Sequence, residues 1–205
     1  MAETWQQRTP LVILDEFLVA QEWAGLLRFT LKRRERFTHS EILDAGGQDR
    51  SDDDLRRSLV LYDLGRCHDL FADRVMTYLP HVLARLHLPP FTVSRFEIQL
   101  TATNDGQFFR KHKDDDSDTV RSRVLSFVYY FYLEPRSFKG GALRLYDTRL
   151  DQQSQVTRGD FQTILPTQNQ IIFFPSDCIH EVSPVECLSG EFSHSRFTVN
   201  GWVHR

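Results

Sequence analysis

The stretch Arg95-Phe96-Glu97-Ile98-Gln99-Leu100 alternates polar with apolar residues, one for one. A period of two belongs to a β-strand, whose successive side chains point to opposite faces. The same signature returns at Leu125, Phe127, Tyr129 and Phe131, at Leu143 and Leu145, from Ile171 to Phe174, and at Phe197, Val199 and Val203. Turn signals at Asn104-Asp105-Gly106, Gly140-Gly141, Pro166 and Pro175-Ser176-Asp177 separate these segments. The carboxyl half therefore reads as evenly spaced short strands, the pattern of a sandwich or barrel.

Upstream of residue 91 the period is different. After an opening strand at Leu11 to Leu14, Trp23, Leu26, Leu27 and Leu31 fall at helical spacing, which predicts a first helix near 19–34. Phe71, Val75, Tyr78, Leu79, Val82, Leu83 and Leu86 predict a second, with Pro89-Pro90 as its stop. The segment 44–58 holds Gly46-Gly47, Ser51 and a run of aspartates without periodicity, and is expected to be a mobile loop, one that clamps a peptide, covers a small molecule or is a surface excursion without function. Two helices are too few to build a core of their own. One domain over 1–205 is expected, with 1–90 supplying a strand, supporting helices and the loop, and 91–205 the β-core.

Composition excludes several classes. At 205 residues, 40% hydrophobic and 26% charged, the chain is globular rather than disordered. Its longest nearly apolar run, Val124 to Leu133, falls far short of the roughly 20 residues that span a bilayer, and Met1 to Pro10 carries no targeting pattern. No membrane partner and a cytoplasmic location are expected. With 25 basic against 28 acidic residues and a net charge of −3, the chain lacks the basic face that nucleic acid requires. Cys67, Cys178 and Cys187 are odd in number and lack CxxC spacing, as befits reduced thiols.

The residues that carry chemistry are His112, Asp114 and His180. In an extended segment, positions two apart share a face, so His112 and Asp114 would present an imidazole and a carboxylate together. His180 from a distant strand would complete a two-histidine, one-carboxylate triad, which holds Fe(II) on one side and leaves the other open. A structural zinc site would be closed by four ligands, with thiolates in close pairs that this chain lacks. An HxD triplet also arises by chance, and Asp114-Asp115-Asp116 read alone is equally a solvated acidic turn. Arg196 opens an alternating strand on which Thr198 shares its face, and an arginine fork beside a hydroxyl suits the far carboxylate of a dicarboxylic acid. The bland alternative for Arg196 is a surface ion pair.

In order along the chain stand Gly106 to Asp114, Arg123 to Tyr130, Gly140 to Tyr146, Asn169 to Phe174, His180 to Val185 and Ser195 to Trp202. In these blocks the sequence resembles the Fe(II)- and 2-oxoglutarate-dependent dioxygenases, in particular the prolyl-4-hydroxylase-like branch that includes the oxygen sensors and their bacterial relatives. The resemblance covers about residues 95–205. It implies a mainly β fold with flanking helices around a double-stranded β-helix, a jelly-roll, cupin-like core. It implies His112, Asp114 and His180 as catalytic metal ligands, and Arg196, with Tyr130 and Thr198, as the binders of 2-oxoglutarate. Arg123 and Trp202 match positions that face substrate. Fe(II), 2-oxoglutarate and O₂ follow as cofactor and cosubstrates, with ascorbate as a reductant. Thr101-Ala102-Thr103 stands where the family often has a tyrosine, and Arg196 replaces the lysine of the collagen-type enzymes.

The implied reaction is hydroxylation of an unactivated C–H with release of succinate and CO₂, a prolyl residue in a protein or peptide being the favoured substrate. The alternatives are a hydroxylase of a free amino acid or small natural product, and a non-catalytic jelly-roll binding module. Cys178 and His194 are expected to be structural, and the oligomeric state is left open.

Overall fold

The computed structural model describes residues 5–40, 42–43, 49–50, 53–150, 156–157 and 160–205. The strands that matter are β1 (Val12–Leu14), β2 (Thr38–His39), β3 (Arg56–Arg57), β4 (Leu59–Leu61), β5 (Arg95–Thr103), β6 (Phe108–His112), β7 (Arg123–Phe131), β8 (Leu143–Tyr146), β9 (Phe161–Ile164), β10 (Gln170–Pro175), β11 (His180–Val182) and β12 (Arg196–His204). Two helices, α1 (Ala20–Lys32) and α2 (Arg66–Arg85), interrupt the first five. A seven-stranded antiparallel sheet runs β1-β10-β7-β12-β5-β4-β2, and a five-stranded one runs β9-β8-β11-β6-β3. Together they make the expected jelly roll, mainly β with helices on the outside.

The alternation in the long strands explains the layering. Leu125, Phe127, Tyr129 and Phe131 of β7, Phe197, Val199 and Val203 of β12, and Ile98, Leu100 and Ala102 of β5 all join one apolar cluster with the helices. From α2, Phe71, Val75, Leu79, Val82 and Leu83 enter it; from α1, Leu26 and Leu27. Phe71 lies edge-on to Tyr129 at 5.2 Å. The residues between, such as Val128 and Tyr130 of β7 and Ile172 and Phe174 of β10, pack instead against Leu143, Leu145 and Ile164 of the smaller sheet. Each long strand is thus buried on both faces. The helices are joined to each other by Arg74, whose guanidinium donates to both Glu22 carboxylate oxygens at 2.8 and 2.9 Å.

Two expectations need correction. Helix α2 stops at Arg85, before Pro89-Pro90: His87 takes a left-handed φ of 58°, Leu88 donates to the Leu83 carbonyl and His87 to that of Ala84, a Schellman closure made without glycine. The segment 44–58 is not all loop. Residues 44–48 and 51–52 lie outside the described residues, but Arg56–Arg57 form β3, paired with Phe109 and Phe108 of β6, and Ser58 is buried. The amino half therefore contributes strands to both sheets. Among the described residues no helix is long and apolar enough to cross a membrane.

Candidate active site

Antiparallel pairing sets His180 directly opposite His112, and a register irregularity just beyond lets β6 bulge on the far side of the pair. Directly opposed residues bring their side chains together, and the two imidazoles stand 4.1 Å apart between ring centres. Each ring is oriented by its Nδ1 against a carbonyl two residues earlier, Arg110 for His112 at 2.7 Å and Cys178 for His180 at 2.9 Å. Both Nε2 atoms then face Asp114, at 3.7 Å from Oδ1 and 3.6 Å from Oδ2.

Asp114 does not continue the strand, as the sharing of a face by alternate residues presumed. It sits on the turn after β6. Its N–H donates to the Ser176 carbonyl and its carbonyl accepts from Arg123, both at 3.1 Å, while Ser126 Oγ donates to Oδ2 at 2.6 Å. Burial alone would raise this carboxyl, but His180 and His112, with hydrogen bonds from Ser126 and Trp202, hold it below the usual range. Burial, and His180 beside it, push His112 down to about 3. The cluster therefore presents a neutral His112 imidazole and an Asp114 carboxylate, both ligating forms, and with His180 its three donor atoms lie within 4.8 Å of one another. Two imidazoles and a carboxylate on one side, with an open pocket on the other, fit Fe(II) among the divalent ions.

The pocket is open to solvent, with a cavity volume of about 60 Å³. Arg196, Thr198, Asn200 and Trp202, alternate residues of β12, line it from one edge to the other. Arg196 is 2% exposed, and its guanidinium lies 4.8 Å from the Tyr130 ring centre. Its Nε and the Tyr130 hydroxyl are both buried without a hydrogen-bond partner among the described residues. Burial favours the neutral phenol of Tyr130 and lowers Arg196. A neutral O–H donor and an N–H donor left over in one buried corner fit an incoming carboxylate, because orphaned buried donors are costly. Gly141 makes room for that corner: a Cβ there would meet Arg196 Cδ at 2.5 Å, and its φ is +66°. A glycine read only as a turn signal thus also cradles the arginine.

Arg123 stands behind the pocket lining rather than in it, and Tyr130 belongs to the buried corner around Arg196 rather than to the open lining. Arg123 stacks on Trp202 at 4.0 Å and pairs with Glu97 at 2.8 Å. The Cys178 thiol, pushed up to about 12 by burial and Asp177, is not a thiolate ligand, and His194 pairs with the Ser189 hydroxyl. Sequence reasoning missed Arg56, which is 8% exposed and lines the pocket from β3, and Phe109, which stacks on His112 at 3.5 Å. It also missed Ser126. Its place between Leu125 and Phe127 is the only signal, a hydroxyl interrupting an apolar run.

The family model described as 2OG-Fe(II) oxygenase superfamily matches residues 98–204. A protein of Synechocystis called an uncharacterized PKHD-type hydroxylase is 41% identical over 94% of this chain. The chain spans 62% of that relative's length. A prolyl-4-hydroxylase of Pseudomonas putida superposes with a TM-score of 0.67 at 20% identity, covering 96% of this chain and 94% of its own. A prolyl hydroxylase of Trichoplax adhaerens, solved with a hypoxia inducible factor peptide fragment, gives 0.66 at 17% identity, covering 96% and 84%. At those identities the structural likeness speaks for the fold.

Proposed function

Because the chain belongs to the 2OG-Fe(II) oxygenase superfamily, we propose that it is a hydroxylase that uses Fe(II), 2-oxoglutarate and O₂ to oxidise an unactivated C–H, favouring a prolyl residue in a peptide or protein. The observation that carries this reading is the pairing of the His112, Asp114 and His180 cluster with a buried corner where Arg196 Nε and the Tyr130 hydroxyl have no hydrogen-bond partner among the described residues. The names of the structural neighbours support the prolyl substrate, which is the finer part of the proposal.

In this reading His112 and His180 supply Nε2 and Asp114 a carboxylate oxygen to the iron. Bound there, the iron and cosubstrate supply the oxidising power by decarboxylation to succinate and CO₂. The protein supplies position. Arg196 and the Tyr130 hydroxyl bind the distal carboxylate of 2-oxoglutarate, and Thr198 stands beside them. Ser126 fixes the Asp114 carboxylate, and the backbone carbonyls on both Nδ1 atoms fix the tautomers, as outer partners of a metal site do. Trp202, backed by Arg123, forms the wall on which a substrate would rest.

The test is direct. Metal-free protein supplied with Fe(II), 2-oxoglutarate and air should form succinate, and lysate incubated with it should yield peptides heavier by one oxygen atom. Absence of Fe(II)-dependent succinate under any substrate screen would favour a binding module instead. Oxygen appearing only on free amino acids or other metabolites would overturn the prolyl part alone.

A further inference from the structure

Arg56 is a second buried cation in the pocket, and nothing so far employs it. It reaches in from the edge strand β3, its Nε donating to Ser58 Oγ at 3.1 Å and its guanidinium lying 4.8 Å from the centre of the Phe109 ring. Thr101 Oγ1 is 3.5 Å from Nη2, at the limit of a hydrogen bond. Among the described residues its bonded partners are thus hydroxyls and a ring. Its place differs from that of Arg196. Phe109, on which it lies, stacks on His112, which feels its charge, and Tyr62 and then Asp114 favour its protonated form, whereas for Arg196 Tyr130 alone does so. Arg56 therefore stands at the iron end and Arg196 at the other.

Charge accounting gives Arg56 a task. A divalent ion and Asp114 leave one positive charge, Arg196 raises this to two, and the 2-oxoglutarate dianion cancels both. The histidines are neutral ligands. What remains is the charge of Arg56, which has no salt-bridge partner among the described residues, in a site where a buried charge without a counter-ion is costly. Just outside, Arg57 and Arg110 flank Phe108, which also lines the pocket, with guanidinium groups 5.5 and 4.9 Å from its ring centre. Both also donate to backbone carbonyls of the neighbouring acidic pair, Arg57 to Asp53 and Arg110 to Asp54.

We propose that Arg56 binds a carboxylate of the substrate, so that the hydroxylated molecule is an anion held beside the iron while 2-oxoglutarate occupies Arg196. The proposal rests on the oxygenase reading. Two sources offer that carboxylate: the α-carboxylate of a free amino acid, or an acidic side chain next to the target residue of a peptide.

Fluorine NMR of trifluoroacetate tests this on protein loaded with Mn(II) and saturating 2-oxoglutarate, the paramagnetic ion broadening a fluorine signal held nearby. Saturable broadening of trifluoroacetate at least tenfold stronger in affinity than that of trifluoroacetamide is expected, and it should disappear in Arg56→Gln with Mn(II) and 2-oxoglutarate binding retained. Equal behaviour of acid and amide on the wild type overturns the proposal without need of a variant. So does persistence of the preference in Arg56→Gln, or a loss of 2-oxoglutarate binding there, which would assign Arg56 to the cosubstrate. Competition by L-proline against L-prolinamide, and by a blocked Pro-Glu dipeptide against Pro-Gln, then identifies the source. No acid-over-amide difference in either pair also counts against the proposal. Failure of the oxygenase reading would show separately, as no binding of Mn(II) or 2-oxoglutarate by the wild type.

Discussion

The two faces of the large sheet are made by the same strands yet are built on opposite terms. On the helix side Phe127, Tyr129, Phe131, Phe173 and Phe197 are buried among one another, ring against ring. One residue along in each strand, the pocket side carries Ser126, Arg196, Thr198, Asn200, Gln99 and Thr101, and most of these are just as buried. Equal burial conceals unequal satisfaction. Among the described residues the helix side leaves over a single buried donor, the Trp23 indole N–H, while beside the pocket Arg196 Nε and the Tyr130 hydroxyl are left over together in one corner. Stability is invested in one face and binding in the other, because the two-residue period segregates them without any change of element.

Asp114→Ala should break the pocket side most completely. Bound iron and Fe(II)-dependent succinate are both expected to fall below detection, while the metal-free protein still folds, because the lost Ser126 hydrogen bond is offset by relief of a buried charge. Metal analysis and denaturant melts read the two quantities. Full iron content with full turnover would remove Asp114 from the site. Phe71→Ala should do the converse: loss of a fully buried ring typically costs about 3–5 kcal/mol, yet iron and 2-oxoglutarate should bind the surviving folded fraction with unchanged affinity. A coupled loss of affinity would mean that the faces are not independent.

How much of this was legible beforehand follows from the same division. Strands β5, β7, β10 and β12 announced themselves because alternation or apolar runs are long there, and both helices because their stripes face one core. His112, Asp114, His180 and Arg196 could be picked out because the chemistry needs few residue types at fixed offsets. Arg56 could not. Its strand is two residues long, in a polar stretch with no period to detect, and its role depends on pairing with β6, some fifty residues on. The Schellman closure at His87 was hidden for a similar reason, since glycine is the usual mark of that turn. Pro80, by contrast, sits inside α2 without ending it.

Arg196→Ala sharpens the contrast at intermediate size. Leaving a carboxylate unpaired in a buried pocket costs about 2–5 kcal/mol, so the half-saturating 2-oxoglutarate concentration should rise at least about thirtyfold with Fe(II) affinity changed far less. An unchanged half-saturation would exclude Arg196 as the anchor. Gly141→Ala should mimic part of this effect, since the added methyl would collide with the Arg196 side chain at a left-handed φ. A normal 2-oxoglutarate titration in that variant would mean that the arginine has slack the packing does not suggest.

The smallest expected effect is the most discriminating between the faces. Thr198 pairs directly with Tyr130 on one neighbouring strand and Thr101 on the other, is 1% exposed, and lines the pocket near Arg196. Thr198→Val keeps the shape and removes only the hydroxyl. If the hydroxyl serves the cosubstrate, its loss should weaken 2-oxoglutarate by the worth of one hydrogen bond, about 0.5–1.5 kcal/mol or roughly two- to tenfold. Unfolding should be unaffected or slightly harder, because the strand gains a β-branched apolar side chain and no buried partner is orphaned. Parallel titration of 2-oxoglutarate and denaturant melts would separate the two readouts. A clear drop in stability with no change in 2-oxoglutarate affinity would reverse the argument, making this polar residue part of the fold rather than of the pocket.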